Sequence, residues 1–417
     1  MGLNIGSGLT FTGGITLTLP PTAPGAPTIG VATATGATTA TVTFTAPVNN
    51  GGATITTYTA TSSPGGITGT LNQAGSGTIN VTGLTGSTSY TFTVTATNGV
   101  GASSPSSASN SITTPSLIPS KKVIFGYGAP SSGLTSITNL VSDTGVVGND
   151  VTGVGTARYG VAAAGYGSDK AIFGYGTTNA AEVSMTNLVT NTGVVGNDVT
   201  GVGTGRRQLA AAGYGTDKAI FGYGWIPLVS QSMTNLVSNT GVVSTDTTGV
   251  GTTRQGPAAA TYGTDKAIFG YGYNWPPDWP NSPATAVSMT NLVSNTGVVA
   301  NDTTGVGTAR NGIAAAGYGS SGQAIFGYGS TGPTDVSITN LVSNTGVVAT
   351  DTSGVGTARA ALAAAGYGTD KAIFGYGQTA GTVVSMTNLV TNTGVVGNDV
   401  TGVGTARQGP AAASYSA

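Results

Sequence analysis

The chain of 417 residues contains no histidine and no cysteine, and its only glutamate is Glu182. Imidazole acid–base catalysis, Ser–His and Cys–His nucleophile pairs, and zinc sites built from Cys and His are therefore excluded. An oxygen-ligated Ca²⁺ or Mg²⁺ site remains open in principle through the aspartates. A glycosidase needs two carboxylates beside the scissile bond, and one glutamate with scattered aspartates supplies them poorly. We predict a protein that is not an enzyme and has no catalytic residues, cofactor or metal.

Charge is also scarce, at 6% of residues with a net charge of −1, against about 25% charged residues in an average protein. A near-neutral chain without a basic face is a poor candidate for nucleic-acid binding. No stretch approaches the 18 apolar residues of a membrane helix, and the first residues lack the basic start of a signal peptide. We therefore predict neither nucleic-acid binding nor membrane insertion. Since disorder needs low hydropathy and high net charge, the chain should fold.

The few charges are unevenly placed, because residues 1–120 contain none and the first charged side chain is Lys121. This step predicts a domain boundary with a linker at 117–121. Ahead of it, residues 1–19 are glycine-rich, with Ile15, Leu17 and Leu19 in alternation. They read either as a flexible leader or as an arm that adds a strand to a neighbour. We favour an N-terminal attachment arm.

Residues 20–116 alternate threonine with apolar residues, as in TATVTF and SYTFTVTAT, with Gly, Pro and Asn between the runs. That pattern is typical of a β-sandwich. The stretch resembles a fibronectin type III domain through Pro24, Pro27, Phe44–Pro47, Gly51–Gly52, Tyr58, Val81–Leu84, Tyr90 and Ala96–Gly101. The resemblance implies an immunoglobulin-like sandwich in which the Tyr90 hydroxyl binds nearby backbone, and the role of a spacer or docking module.

From residue 122 onward the segment IFGYG recurs, with its phenylalanine at 125, 173, 221, 269, 326 and 374. Each repeat continues through SMTNLVSNTGVV, NDTTGVGTAR and AAAGYG, and periods near 50 residues indicate propellers or other repeat arrays. The pattern predicts four short strands in each repeat, with small alanines on the inner strand. A β-solenoid is the competing architecture, but its coils are shorter, at about 20–30 residues.

The segments ARNGIAAAGYG, QAIFGYG and TNLVSNTGVV resemble kelch repeats. The chain departs from that pattern in its GYG triplets and in lacking the late Trp. The resemblance implies that residues 122–417 form a six-bladed kelch-like β-propeller, a fold used mostly for binding. We expect residues 411–415, AAASY, to pair beside residues 123–127 and close the first blade. The predicted fold class is all-β, a fibronectin type III sandwich followed by this propeller.

Every repeat also carries an Asp and an Arg eight residues apart, such as Asp302 and Arg310. One interpretation is a ring of charges that binds an anionic ligand. The other is an ion pair or turn cap copied with each repeat, and we favour it because a single ligand site needs asymmetry. The aspartates of the N-D-x-T-G segments are interpreted in the same way as turn residues rather than calcium ligands.

All three tryptophans, Trp225, Trp275 and Trp279, fall between the IFGYG and SMTNL segments, a connection that is longest at YNWPPDWPNSPATAV, residues 273–287. Equivalent connections of successive blades emerge on one face, so these loops should be neighbours. Sugar rings stack on flat aromatic faces and bond to nearby acids. We therefore predict a glycan or protein contact site, with plain loop packing as the alternative, formed by Trp225, Tyr273, Trp275, Asp278 and Trp279.

The combination of a charge-free fibronectin type III-like module and near-identical repeats resembles virion structural proteins of tailed bacteriophages. The resemblance implies a tail fibre, tailspike or baseplate-associated protein for host attachment, located in the virion. Its partners would be other virion proteins, bound through the arm and sandwich, and host surface glycan, with the chain a homo-oligomer in the particle. The alternatives are a capsid decoration or head-fibre protein with an architectural role, and a secreted surface adhesin.

Overall fold

The structure is a computed structural model of the chain, and it describes residues 20–115, 120–275, 284–332 and 334–416. Internal contacts divide the chain into two compact units, Met1–Ile118 and Pro119–Ala417. Every regular element in the described ranges is a β-strand, and no helix there is long and apolar enough to cross a membrane. The predicted attachment arm, residues 1–19, and most of the predicted linker lie outside the described residues.

The first unit contains two sheets that share one apolar core. Alternation of threonine with apolar residues places one face of each strand inside, as the regular burial pattern of the sixth strand shows. One sheet has the order β1-β2-β5 and the other β4-β3-β6-β7. The strands are β1 (Thr28–Gly36), β2 (Thr39–Thr45), β3 (Ile55–Ser63), β4 (Thr68–Leu71), β5 (Gly77–Thr82), β6 (Ser89–Asn98) and β7 (Ile112–Thr113).

Tyr90 lies at the start of β6 with its ring buried in this core. Its hydroxyl accepts a hydrogen bond from the backbone N–H of Thr85 at 2.9 Å. The predicted tie between this hydroxyl and nearby backbone is therefore confirmed. Such a bond satisfies a buried phenol and fixes the connection that leads into the strand.

The segment after β6 runs beside that strand without forming a regular ladder. It is held to β6 through a serine at every third residue. Ser103 and Ser106 each accept, through the side-chain oxygen, a hydrogen bond from a backbone N–H of β6 at 2.9–3.0 Å. Their own N–H groups donate to carbonyls of the same strand, and Ser109 repeats both contacts. Hydroxyls thus satisfy backbone groups of β6 where no paired strand covers them.

The second unit is built from six three-stranded antiparallel sheets, each with an Ala-rich strand, a central KAIFG-type strand and a TNLV strand. The first sheet has the order β29-β8-β9, so the last strand of the chain pairs with the first strand of this unit, Ala412 opposite Phe125. The strands of the six sheets are β8 (Lys121–Gly126), β9 (Thr138–Val141) and β29 (Ala411–Ser416); β10 (Ala162–Tyr166), β11 (Lys170–Gly174) and β12 (Thr186–Val189); β13 (Ala210–Tyr214), β14 (Lys218–Ile226) and β15 (Val229–Val237); β16 (Ala258–Tyr262), β17 (Lys266–Gly270) and β20 (Thr290–Val293); β21 (Ala314–Tyr318), β22 (Gln323–Gly327) and β23 (Thr339–Val342); β24 (Ala363–Tyr367), β25 (Lys371–Gly375) and β28 (Thr387–Val390).

Two short hairpins extend the connections of the fourth and sixth sheets: β18 (Tyr273–Asn274) with β19 (Thr285–Ala286), and β26 (Gln378–Thr379) with β27 (Thr382–Val383). In the third sheet the same connection is a continuous hairpin of β14 and β15, with Trp225 opposite Ser230. The described residues of the predicted contact site, Trp225, Tyr273 and Trp275, therefore lie on or directly beside these hairpins.

The prediction of four strands in each repeat is wrong in the described residues, because the strand expected after the NTG turn does not form. The segment after the NTG turn forms only isolated bridges to the TNLV strand, in the first repeat Val141 with Val147 and Thr138 with Val151. These bridges are three residues apart on the strand and four apart on the segment, so the segment carries one extra residue. A bulge of this kind interrupts a ladder, and the run after the NTG turn contains too many turn residues to restore it.

The Ala-rich strands contact one another in a closed cycle: β10 contacts β13, β13 contacts β16, β16 contacts β21, β21 contacts β24, and β29 contacts both β24 and β10. Small residues make this approach possible. A Cβ on Gly366 would lie 2.9 Å from the carbonyl oxygen of Gly317 in the preceding sheet, and real side chains do not come that close. The first and last sheets are thus neighbours.

The six repeated arginines are fully buried between consecutive sheets. Arg310 serves as the example. Arg310 donates from Nη2 to Asn340 Oδ1 at 2.7 Å, from Nε to the Tyr328 carbonyl at 2.8 Å and from Nη1 to the Thr308 carbonyl at 2.9 Å. Asp351 Oδ1 lies 3.8 Å from Nη1. A buried guanidinium needs such partners, because an unpaired charge is costly to bury.

The ion pairs therefore join successive repeats. The expected pairing of each Arg with the Asp eight residues before it, in its own repeat, is wrong. Arg310 contacts Asp351 of the next repeat, not Asp302 of its own. The same contact recurs in Arg158–Asp198, Arg206–Asp246, Arg254–Asp302 and Arg359–Asp399. Full burial of the six repeated arginines leaves none of these six available to a ligand, and the structural interpretation holds.

The same network joins the last repeat to the first. Arg407 donates from Nη2 to Asn139 Oδ1 at 2.8 Å. The backbone N–H and hydroxyl of Thr405 donate to the carboxylate of Asp150, the latter at 2.6 Å. These residues are more than 250 positions apart in sequence, so this junction is made by tertiary structure alone.

The tyrosines of the six IFGYG segments adopt a left-handed backbone conformation, with φ of 63–64° in each. Positive φ is rare for a bulky residue and persists only where its surroundings fix it. The Tyr271 ring lies 5.1 Å from the Phe326 ring of the next sheet, with Arg310 stacked over it at 4.5 Å. Burial raises the pKa of each of these tyrosines to about 12.

We expect the second unit to be stable from about pH 4 to about pH 10 and to lose stability outside this range. Burial alone would raise the pKa of each network aspartate, but hydrogen bonds from Thr and Asn and the Arg charge lower it overall. A carboxyl group whose pKa is lowered on folding stabilises the fold at pH values above its unfolded-state pKa of about 3.9. This contribution to stability is lost as pH falls through the folded-state pKa.

The tyrosines set the alkaline limit. A phenol pKa raised from 10 to about 12 stabilises the fold below pH 10, and that contribution is lost as pH rises toward 12. Urea unfolding of the second unit at each pH measures both limits. A steady loss of stability between pH 8 and pH 5 would contradict this origin of the stability.

Candidate functional site

Differences between the repeats are concentrated at one end of the second unit. They occur in the connection between the central and TNLV strands and in the three residues that follow each repeated Arg. The two segments lie side by side: Gln255 and Tyr273 exchange backbone hydrogen bonds at 2.9 and 2.8 Å, and Arg207 and Trp225 do so at 3.1 and 2.8 Å. Residues that distinguish one repeat from another are thus gathered at this end.

Trp225 is half-buried on β14 and carries a stacked arginine. The guanidinium of Arg207 lies 4.3 Å from the centre of the indole ring, a cation–π contact. Arg207 Nε also lies 3.8 Å from Glu182 Oε1, the only glutamate carboxylate of the chain. The three side chains form a row from the second sheet to the third, with the positive and negative charges balanced.

Tyr273 and Trp275 continue this row on the fourth sheet. Their ring centres are 6.1 Å apart at an angle of 50°, and the Tyr273 hydroxyl donates to the Ala284 carbonyl at 3.1 Å. The backbone N–H of Trp275 donates to the hydroxyl of Ser230, the register partner of Trp225, at 3.2 Å. We call the row Glu182, Arg207, Trp225, Ser230, Tyr273 and Trp275 the aromatic strip.

The structure brings three of the five predicted site residues together, Trp225, Tyr273 and Trp275. Asp278 and Trp279 lie outside the described residues. The prediction missed Arg207, Glu182 and Ser230. A signal for two of them was present, since Arg207 is a second arginine directly after the repeated Arg206, and Glu182 is the only glutamate.

Chemically, the aromatic strip offers partly exposed ring faces beside one balanced ion pair, which suits stacking and hydrogen bonding rather than bond cleavage. Within the described part of the chain, no group of three or more His, Cys, Asp and Glu side chains is placed to hold a metal ion. The arrangement fits a sugar ring or a protein side chain as its contact.

No curated protein matches the chain. Residues 25–112 match the family model of the fibronectin type III domain. The matched segment holds all of β1 to β6 and enters β7, and the sheet orders β1-β2-β5 and β4-β3-β6-β7 form the two layers of a sandwich. The resemblance that the sequence showed in this region is confirmed. The first unit of this all-β chain therefore contains a fibronectin type III domain.

Proposed function

We propose that the second unit is a six-bladed kelch-like β-propeller and that the chain is a non-enzymatic virion structural protein of a tailed bacteriophage. It would serve host attachment as a tail fibre, tailspike or baseplate-associated protein. The propeller is supported by the closed cycle of contacts among the six Ala-rich strands. The phage assignment is supported by the resemblance of the repeated sequence.

The aromatic strip is the observation that carries a role in attachment. Six sheets with the same buried Arg network form a symmetric scaffold, and symmetry alone gives six equivalent sites. The chain breaks that symmetry by placing Trp225, Tyr273 and Trp275 on adjacent sheets at one end. Partly exposed aromatic side chains in a cluster are typical of contact sites for sugars and proteins.

The alternative is a capsid decoration or head-fibre protein with an architectural role. The observation that favours it is the uniform network of buried arginines, which makes a rigid body without any ligand. In either case we propose attachment to other virion proteins through the N-terminal arm and the fibronectin type III domain, and a homo-oligomeric state in the particle.

We expect the double variant Trp225→Ala, Trp275→Ala to weaken adsorption to host cells at least about tenfold, because aromatic anchors dominate such contacts. Its melting temperature should change little, since both indoles are half-buried in hairpins outside the apolar clusters between the sheets. Adsorption of purified protein to cells and thermal unfolding measure the two effects.

The matched control is Val242→Ala, Val298→Ala, which truncates exposed side chains in the NTG turns of the same two sheets. This control should adsorb as the parent does. A large loss of stability in the tryptophan variant with adsorption intact would show that these rings only pack their own loops, and the attachment role of the strip would be wrong.

A further inference from the structure

A cavity of about 680 Å³ opens beside the aromatic strip, at the same end of the second unit. It is lined by the residues that follow the repeated arginines, among them Tyr159, Gln208, Gln255 and Asn311, and by the connections of the fifth and sixth sheets. Its size falls within the range of about 300–1,000 Å³ that is usual for small-molecule sites.

The residues at this cavity are the ones that the repeats do not share. The three residues between the repeated Arg and the Ala-rich strand read YGV, RQL, QGP, NGI, AAL and QGP. The sequence on either side, GVGT before and AAA after, is nearly constant. The repeats share their sequence where the fold requires it and differ around this one cavity. This difference indicates that the residues lining the cavity serve a purpose other than the fold.

Gln208 gives the strongest sign of such a purpose. Its backbone has a φ of +52°, in the left-handed region, and four of the six repeats place glycine at this position. A glutamine there is strained, because its Cβ crowds the backbone, and glycine would relieve the strain. The chain keeps a strained residue whose amide side chain lines the cavity, and strain of this kind is concentrated at functional sites.

The lining chemistry selects an uncharged, polyhydroxylated ligand. Gln208, Gln255 and Asn311 present amides, each of which donates and accepts hydrogen bonds, as sugar hydroxyls require. None of the described lining residues is Lys or Arg, so an anionic ligand would meet no countercharge. Leu209 and Ile313 add an apolar floor.

Two further residues complete this chemistry across the cavity. Tyr159 precedes the Ala-rich strand of the second sheet, and Asp335 lies in the connection of the fifth sheet. These sheets are three steps apart in the cycle of six, so Tyr159 and Asp335 line opposite sides of the cavity, where one Asp335 carboxylate oxygen accepts a hydrogen bond from the Ala380 backbone N–H at 3.2 Å. We propose that this cavity binds a neutral saccharide, at a site separate from the aromatic strip and independent of any virion role.

The test is calorimetric titration of the full chain with maltotriose, cellotriose, chitotriose and, as an acidic probe, trigalacturonic acid. We expect at least one neutral trisaccharide to bind with a Kd of about 1 mM or lower. Gln208→Gly should weaken that binding about tenfold, because the bound saccharide would lose a hydrogen-bond partner. The same variant should keep or raise the melting temperature, which a purely structural role of the glutamine would not predict.

Ala361→Gly is the matched control, because Ala361 is the other non-glycine at this position and has the same φ of +52° without a polar side chain. It should bind the trisaccharide as the parent does. The Trp225→Ala, Trp275→Ala variant should also bind normally, which separates this site from the proposed attachment site. The proposal is overturned if no neutral trisaccharide binds, if Gln208→Gly binds as the parent does, or if the acidic probe binds best.

Discussion

Deletion of residues 408–417 should abolish the cooperative unfolding of the second unit and lead to aggregation. The deletion removes β29, which pairs along the whole of β8, and with it Tyr415, buried against the second sheet. Loss of one large buried side chain costs about 3–5 kcal/mol, and whole domains are stable by only about 5–15 kcal/mol. The bare edge of β8 would also be free to pair with other chains. Thermal unfolding and light scattering measure both effects.

Relocation of the deleted segment provides the control for this experiment. When residues 408–417 are placed directly before Lys121, β29 and β8 become neighbours in sequence, like β10 and β11, which pair as a hairpin. We expect this variant to recover most of the parent stability. A truncated protein that melts like the parent would show that the pairing of the last strand with the first contributes little.

Arg310→Met should destabilise the second unit by about 3–5 kcal/mol, the cost of removing one partner from a buried ion pair. The variant leaves the Asn340 side-chain oxygen and the Tyr328 carbonyl without their donor and removes the cation stacked on Tyr271. Urea unfolding monitored by tryptophan fluorescence gives the difference in free energy.

Arg207→Met is the matched control, since it removes an arginine with the same substitution but from a partly exposed pair with Glu182. Exposed ion pairs contribute about 0–1 kcal/mol, so we expect a small change. Equal losses in the two variants would mean that the buried network does not hold successive sheets together.

The strand positions could be predicted from the sequence because local patterns determine them. The alternation of threonine with apolar residues predicted the strands of the fibronectin type III domain. The position of Tyr90 predicted the hydrogen bond between its hydroxyl and nearby backbone. In the repeats, the runs KAIFG, TNLV and AAAGY coincide with strands, since apolar residues bounded by glycine and asparagine leave few alternatives.

The ion pairs were assigned to the wrong partners because they join successive repeats, which spacing within one repeat does not show. The separation of eight residues between Asp302 and Arg310 suggested a local pair, yet Arg310 reaches the Asp of the next sheet. The strand expected after the NTG turn is absent for a reason within the repeat: the side chain of Asn139 donates to the Gly148 carbonyl and to Asp150, where the ladder would have continued.

The candidate site could be predicted only in part, because some of its contacts form only in the folded chain. Tryptophans stand out in a chain that has three, whereas Arg207 and Ser230 acquire their roles from the hairpin of β14 and β15. Gln208 could not be recognised before its backbone conformation was known, because only the positive φ shows that the glutamine is strained.

Labelling of intact tailed phage particles with an antibody against this chain is the most direct test of its proposed place in a virion. Electron microscopy should show the label on the tail, at the fibre, spike or baseplate. Label on the capsid would contradict the tail assignment and favour the decoration protein. Label found only on cell envelopes would contradict both virion functions.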